Sequence, residues 1–237
     1  SIGDILDATD ALAMDSENKI KDSAKSHWSS KTDGGEVELG GVGEVLRNRD
    51  FSSNPRKIYT YLETNVNLTD SSNRFALSNP AITPAKLGLA PNDDADRNSL
   101  INFIHGLDAF DENGNWIRSE KRDWILGAFV HSRPFVLHYG SGQSVVFAGA
   151  NDGMLHAFDD ASGQELWAFI PPKLLLNLIN LNGETLEFFV DGSPRVYVER
   201  DHDGNLLKAI LIFGLRRGGD GYTALDITNR LSPTFLW

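Results

Sequence analysis

The chain has 237 residues, 41% of them hydrophobic, which is enough for one large or two modest domains with a packed core. Its 33 acidic and 22 basic residues give a net charge of −11, which repels nucleic acid and anionic lipid. The absence of cysteine excludes disulfides, thiolate metal sites and cysteine nucleophiles. No apolar run approaches the roughly 18 residues that cross a bilayer, so we expect no membrane span.

The sequence begins at Ser1 rather than Met, without a basic leader. We therefore expect that any secretion signal has been removed or lies outside this sequence. The first hundred residues read as an irregular segment, because turn residues interrupt their short apolar runs. Apolar spacing over residues 2–14 predicts a short amphipathic helix. Alternation around a glycine-bearing turn predicts a hairpin over residues 28–39, and residues 57–62 favour a strand.

Residues 84–107 favour helical structure at the end of this segment. Pro84 can begin one helical segment, because proline is favoured in the first helical turn. Asn98 or Ser99 can cap a second helical segment over residues 100–107. The N-terminal region, residues 1–100, is thus predicted to combine a hairpin with short helices.

The pattern changes to strong alternation after Trp124. Short β-rich segments separated by Gly, Asn, Asp and Ser predict four strands joined by tight turns, over residues 134–139, 145–150, 154–159 and 165–170. Four such strands in sequence make one antiparallel meander.

This meander recurs once along the chain. The paired positions keep their order at offsets of 60, 66, 67 and 70 residues, given by Pro134 and Pro194, Phe147 and Phe213, Asp159 and Asp226, and Trp167 and Trp237. The offset grows in segments that read as turns, so added residues lengthen loops and leave the strands intact. The alternative is a coincidental pairing of two unrelated hairpins.

A single meander cannot bury both of its faces, and stacking it against its copy supplies the missing partner. Radial stacking of four-stranded sheets makes a propeller. The fold class predicted is therefore mainly β: a partial β-propeller of two four-stranded antiparallel blades, preceded by an irregular α+β segment. The propeller domain is predicted over residues 101–237, with blades at about 131–170 and 190–237.

Each copy ends in the way that a blade of the quinoprotein type ends. A small residue, an apolar residue and an aspartate are followed by a turn and a tryptophan, which gives four predicted structural anchors: Asp159, Trp167, Asp226 and Trp237. The aspartate can accept backbone N–H groups across the turn. The tryptophan ring can pack between blades and donate its indole N–H.

A longer set of strings resembles a narrower family, the type IV pilus assembly and pilus-tip adhesin proteins of the PilY/PilC type. The strings cover residues 127–134, 149–158, 167–172, 189–194 and 218–226. The resemblance implies the start of a C-terminal quinoprotein-like propeller in a large secreted protein at the pilus tip or outer-membrane surface. It implies a non-enzymatic role in pilus biogenesis, adhesion and twitching motility.

The same resemblance implies the partners. These are minor pilins or a pilus-tip complex, a host or abiotic surface, and the remainder of the propeller or a second chain that completes it. We expect no organic cofactor.

Two loops are candidates for calcium, because oxygen side chains alternate along them. In the first, Asp201, Asp203 and Asn205 alternate, yet Ile212 occupies the position where the full loop needs a carboxylate. An Asp-Gly hairpin turn is the alternative interpretation there. The second loop contains Asp111, Asn113 and Asn115, with Glu120 downstream.

In that second loop Gly114 occupies the fourth position of the loop instead of the sixth, so a solvated turn is the alternative. Three histidines, His131, His138 and His156, lie on or beside predicted strands. Their spacing does not require a zinc site, and we interpret His131 and His156 as hydrogen-bonded structural groups.

Two other functions use the same type of blade. The first is a fragment of a quinoprotein dehydrogenase that holds pyrroloquinoline quinone, although such enzymes often use a vicinal disulfide and this chain has no cysteine. The second is a periplasmic scaffold for outer-membrane protein assembly, which lacks the strings at residues 131–134 and 167–172.

Overall fold

The computed structural model describes residues 4–36, 38–183 and 187–237. Two α-helices and four 3₁₀ helices lie outside the sheets; the α-helices are α1 (Gly41–Asn48) and α2 (Asp94–His105), and the 3₁₀ helices are Ser71–Asn73, Pro84–Leu87, Pro172–Asn182 and Arg216–Gly218. Within the described residues, no helix combines the length and the apolar character that a membrane crossing requires.

Nine strands form two sheets. The strands are β1 (Ile58–Tyr59), β2 (Phe135–Gly140), β3 (Gln143–Gly149), β4 (Leu155–Asp159), β5 (Glu165–Phe169), β6 (Arg195–Arg200), β7 (Leu206–Gly214), β8 (Tyr222–Asp226) and β9 (Thr234–Phe235). The first sheet has the order β1-β5-β4-β3-β2, and the second has the order β6-β7-β8-β9. The chain is therefore mainly β, with two open sheets and few helices.

The predicted helix over residues 2–14 is wrong for the described residues; Ile2 lies outside them. Two successive loops replace it, closed by isolated bridges between Leu6 and Leu12 and between Met14 and Ile20. In the first loop the Asp7 carboxylate accepts the backbone N–H groups of Thr9 and Ala11. Aspartate side chains that bond to nearby backbone groups compete with helical hydrogen bonds, which explains the error.

The predicted hairpin over residues 28–39 is also wrong, since its described residues form turns and bends and no strand; Val37 lies outside the described residues. The Asp33 carboxylate accepts hydrogen bonds from the backbone of Ser26 and the hydroxyl of Ser29. This local bonding satisfies the backbone without a strand partner. The strand predicted at residues 57–62 exists only as β1, a pair of residues that joins β5 in parallel.

The helical segment at Pro84 is confirmed, but the second helix begins earlier than predicted. Asp93 caps α2 by accepting the N–H of Asp96, so neither Asn98 nor Ser99 is the cap. The helix ends at Gly106, which adopts a φ of 104° that favours glycine. The sequence signal missed here is an aspartate directly before an acidic first turn.

The four predicted strands of the first meander are confirmed as β2 to β5, an antiparallel run. The first sheet has five strands rather than four, because β1 adds to the edge of β5. The irregular N-terminal region therefore contributes directly to the sheet.

The ladders of the two sheets correspond row by row. Val145 lies opposite Asp159 in the first sheet, and Ile210 lies opposite Asp226 in the second. Gly149 lies opposite Leu155, and its counterpart Gly214 lies opposite Tyr222. The correspondence of β3 with β7 is thus 65 residues, as from Gly149 to Gly214, while that of β4 with β8 is 67.

The pairing of Phe147 with Phe213 at 66 residues is therefore wrong. Phe147 lies opposite Ala157, and in the second sheet Ile212 lies opposite Ala224, so Ile212 is the counterpart of Phe147. A one-residue slip moves a side chain to the other face of a strand. The two phenylalanines, although similar in sequence context, lie on different faces of their sheets.

We call the face of the first sheet that holds Val145, Phe147 and Leu155 its front face, and the opposite face its back face. The second sheet takes the same names through the row correspondence. The largest core joins the front of the first sheet to the back of the second, where the contributing residues are Ala209, Leu211, Phe213 and Leu225. The sheets are thus stacked front to back, as successive copies of one unit.

Candidate interaction site

The front face of the second sheet is the candidate interaction site. It repeats the apolar rows by which the first sheet packs on its neighbour; the pairs are Leu137 and Tyr197, Val145 and Ile210, Phe147 and Ile212, Leu155 and Tyr222, and Ala157 and Ala224. In the first sheet these side chains are buried in the shared core. In the second sheet Tyr197 is 57% exposed and Tyr222 is 74% exposed.

Trp167 shows how a front face holds the next sheet. Its side chain is among the largest fully buried ones, and its indole Nε1–H donates to the carbonyl of Arg230 at 2.8 Å. The Arg230 guanidinium in turn lies 3.4 Å from the Asp159 carboxylate. The first pair of predicted anchors, Asp159 and Trp167, therefore contacts one segment of the second sheet from two sides.

The second pair of anchors lies in corresponding positions. The Asp226 carboxylate accepts the backbone N–H of Thr228, as that of Asp159 accepts the N–H of Ser162. The carbonyl of Trp237 accepts the N–H of Ala224, but its side chain is 57% exposed. Trp237 thus belongs to the uncovered front face, and Trp167 to the covered one.

The segments that lead into the two sheets meet at a charged junction. The carboxylate of Asp191 is buried and lies 2.9 Å from Nδ1 of His131. Nη1 of Arg216 lies 3.4 Å from the same carboxylate. Asp191 therefore has two cationic or protonatable neighbours that compensate for its burial, and the interpretation of His131 as a hydrogen-bonded structural group is confirmed.

A second ionic cluster is buried behind the first sheet. His156 is fully buried; its Nδ1 lies 2.9 Å from Glu165, and its Nε2 lies 3.1 Å from Asp152. Arg56 pairs with Glu165 through Nη2 at 2.7 Å and Nε at 2.9 Å. Two carboxylates thus face one guanidinium and one imidazole.

Burial opposes charge in each of these groups, but the neighbours outweigh it. Asp152 and Glu165 raise the pKa of His156 to about 9. Arg56 and His156 hold the pKa of Glu165 well below its ordinary value, and His156 does the same for the pKa of Asp152. At neutral pH the cluster therefore consists of two ion pairs.

The two predicted calcium loops both lie on the surface as turns. The Asp201 carboxylate accepts the N–H groups of Asp203 and Asn205 and the side-chain amide of Asn205. In the other loop the amides of Asn113 and Asn115 both donate to Glu120, and Asp111 accepts the N–H of Trp116. Across the described part of the chain, no group of three or more His, Asp or Glu residues is arranged to hold a metal.

Comparison with known proteins places these features in a family. The chain is 32% identical over 183 residues to the type IV pilus biogenesis factor PilY1 of Pseudomonas aeruginosa strain PAK, which covers 62% of this chain. It is 38% identical over 164 residues, 58% of this chain, to a PilY1 homologue of Xylella fastidiosa. The chain belongs to the PilY1-type family. No family model matches the chain.

The relatives are much longer than this chain. The matches span 15% of the Pseudomonas protein and 13% of the Xylella protein. The crystal structure of the P. aeruginosa PilY1 C-terminal domain is 39% identical, covering 41% of this chain and 18% of that one, with a TM-score of 0.28. At that score the comparison of shapes has no bearing on the fold.

Sequence reasoning missed Arg56, Asp152 and Glu165 as members of one cluster. Arg56 lies 109 positions before its partner Glu165, and no local pattern joins them. One signal was present: Glu165 and His156 fall inside apolar strand segments, where an ionisable side chain needs a buried partner.

Proposed function

We propose that the chain is a non-enzymatic module of a PilY1-type protein that acts in type IV pilus biogenesis at the cell surface. Support comes from the names of its relatives, which are type IV pilus biogenesis factors, and from a site that is an apolar sheet face rather than a set of reactive groups. The proposal includes adhesion and twitching motility as the processes served, minor pilins or a pilus-tip complex as partners, and an extracellular location at the pilus tip.

The observation that carries this proposal is the repeated front face. A front face with Tyr197, Ile212 and Tyr222 uncovered has the same rows as the one that already holds a sheet. We therefore propose that a further sheet of the same repeat, in the longer protein, packs on the second sheet. Successive sheets stacked in this way make the partial quinoprotein-like propeller.

Surface piliation tests the function. The gene in its own bacterium is replaced by a variant with Tyr222→Lys and Ile212→Lys, which places two charges on the front face of the second sheet. The matched control carries Lys at Leu6 and Leu12, two exposed positions of the N-terminal loops. We expect loss of pilin from the sheared surface fraction in the first strain and normal amounts in the control. Normal piliation in both strains contradicts the proposal.

Calcium at the two surface loops is proposed on the oxygen-rich composition of residues 201–205 and 111–115. Titration calorimetry with calcium on the wild type and on Asp201→Asn tests the first loop. A binding isotherm that weakens in the variant supports the proposal, and no heat in the wild type contradicts it.

A further inference from the structure

The back face of the first sheet is covered by the chain's own N-terminal half. Val146 and Phe158 of this face share a core with Leu46 of α1 and with Ile125 and Leu126. We call α1, residues 49–56 and residues 124–129 the cap. The cap lies where, on the second sheet, the back face contacts another sheet.

The cap is attached to the first sheet by polar contacts. Arg49 donates from Nη1 to the carbonyl of Glu165 at 2.9 Å, and the N–H of Gly127 donates to the Asp152 carboxylate at 3.0 Å. Trp28, which precedes α1, donates its indole N–H to the carbonyl of Asp160 at 2.9 Å. These bonds reach both ends of β5 and β4, so the cover spans the face.

The chemistry of the two back faces differs in the way that a cap requires. Glu165 of the first sheet corresponds to Phe235 of the second, because they lie opposite Phe158 and Leu225. His156 likewise corresponds to Thr223. The second sheet thus offers an apolar back to its neighbour, whereas the first offers a charged pair.

That charged pair is satisfied by the cap. The Glu165 carboxylate is buried and takes both of its bonds to Arg56 from within the cap. An apolar sheet front in place of the cap leaves this carboxylate without its cation, which is strongly unfavourable in a buried site. The back face of the first sheet therefore discriminates against another sheet.

We propose that the cap ends sheet stacking at the first sheet, so that the protein accepts a further sheet only on the front face of the second. This inference rests on the proposed function, since it takes sheet stacking as the mode of assembly. It adds a direction: the array grows from one side, and a ring cannot close through the first sheet while the cap is bound.

Self-association of the protein distinguishes one accepting face from two. Two complementary faces on one molecule pair head to tail and give an open series of oligomers, whereas a single face stops at a closed dimer. Sedimentation velocity over a rising concentration series of the wild type should show monomer, or monomer and dimer only. An open series of larger species overturns the proposal.

Loosening the cap should create the second face. Leu46→Ala removes a buried cap side chain, and Leu87→Ala, at an equally buried leucine in a different core, is the matched control. An added Ala148→Cys on the back face reports its exposure through maleimide labelling, because the chain has no other thiol. We expect species larger than a dimer in Leu46→Ala alone.

Folded Leu46→Ala protein that labels at Ala148→Cys and still stops at a dimer overturns the proposal. Larger species that persist after Tyr222→Lys count instead against the front face of the second sheet, and so against the proposed function. Should Leu46→Ala fail to fold, the wild-type series decides.

Discussion

The ring of Phe169 on β5 meets the ring of Phe213 on β7 edge to face, with centroids 6.4 Å apart and an interplanar angle of 84°. Phe169 lies on the front face of the first sheet and Phe213 on the back face of the second. The contact therefore joins the two copies of the repeat, and edge-to-face pairs of this kind stabilise a core beyond their buried area.

Trp167→Ala should destabilise the protein by about 3–5 kcal/mol, because it empties a buried aromatic site and removes the bond to the carbonyl of Arg230. Chemical denaturation measures the loss. Trp116→Ala, at a side chain that is 83% exposed, is the control and should leave the midpoint nearly unchanged. Equal midpoints for the two variants would show that Trp167 is not buried between sheets.

Stability should fall at alkaline pH through His156. Its pKa is about 9 in the folded protein and near 6.5 when unfolded. Protonated His156 thus stabilises the fold in full below pH 6.5, and this contribution, on the order of 3 kcal/mol, is lost as the pH rises through 9. Urea unfolding at pH values across this range measures it.

His156→Gln is the variant for that experiment, and His27→Gln, at an exposed position, is its control. The alkaline decline should flatten in the first and persist in the second. A decline of the same size in His156→Gln would assign it to other groups.

Arg56→Met should cost about 3–5 kcal/mol, because it leaves Glu165 ionised and buried without a cation. The double variant Arg56→Met/Glu165→Met should be less destabilised than the sum of its single variants, since it removes the buried charge with its partner. Arg118→Met at an exposed site is the control. Additive losses, measured by denaturant unfolding, would mean that the two side chains do not interact.

Gly149→Ala should destabilise the junction between the sheets. A Cβ at Gly149 would lie 2.4 Å from the carbonyl oxygen of Val190, and a backbone atom cannot move aside as a flexible side chain can. Gly35→Ala is the control, because its nearest neighbour would be 3.7 Å away. We expect a loss of about 1–3 kcal/mol for the first variant in thermal unfolding, and equal melting temperatures would contradict the close approach.

The sequence predicts the strands better than it predicts their register. Strict alternation and turn residues located β2 to β5 within one or two residues, because both signals are local. The counterpart of Phe147 was misassigned because Ile212 and Phe213 are both apolar, and only the pairing with β8 decides which faces the core.

The N-terminal half resisted prediction for a different reason. Its structure depends on carboxylates that bond to nearby backbone, such as Asp7 and Asp33, and on distant partners such as Arg56 with Glu165. Neither leaves a hydrophobic period in the sequence. The front face of the second sheet, in contrast, follows from the repeat once its register is known.

A double-mutant cycle between Phe169 and Phe213 tests front-to-back stacking most directly. Phe169→Leu and Phe213→Leu are made singly and together, and the free energies of unfolding are compared. Stacking predicts a coupling energy of about 0.5–1.5 kcal/mol, whereas Phe169→Leu combined with Phe75→Leu, in a different core, should be additive. Additivity of the Phe169 and Phe213 substitutions within about 0.3 kcal/mol would contradict the account.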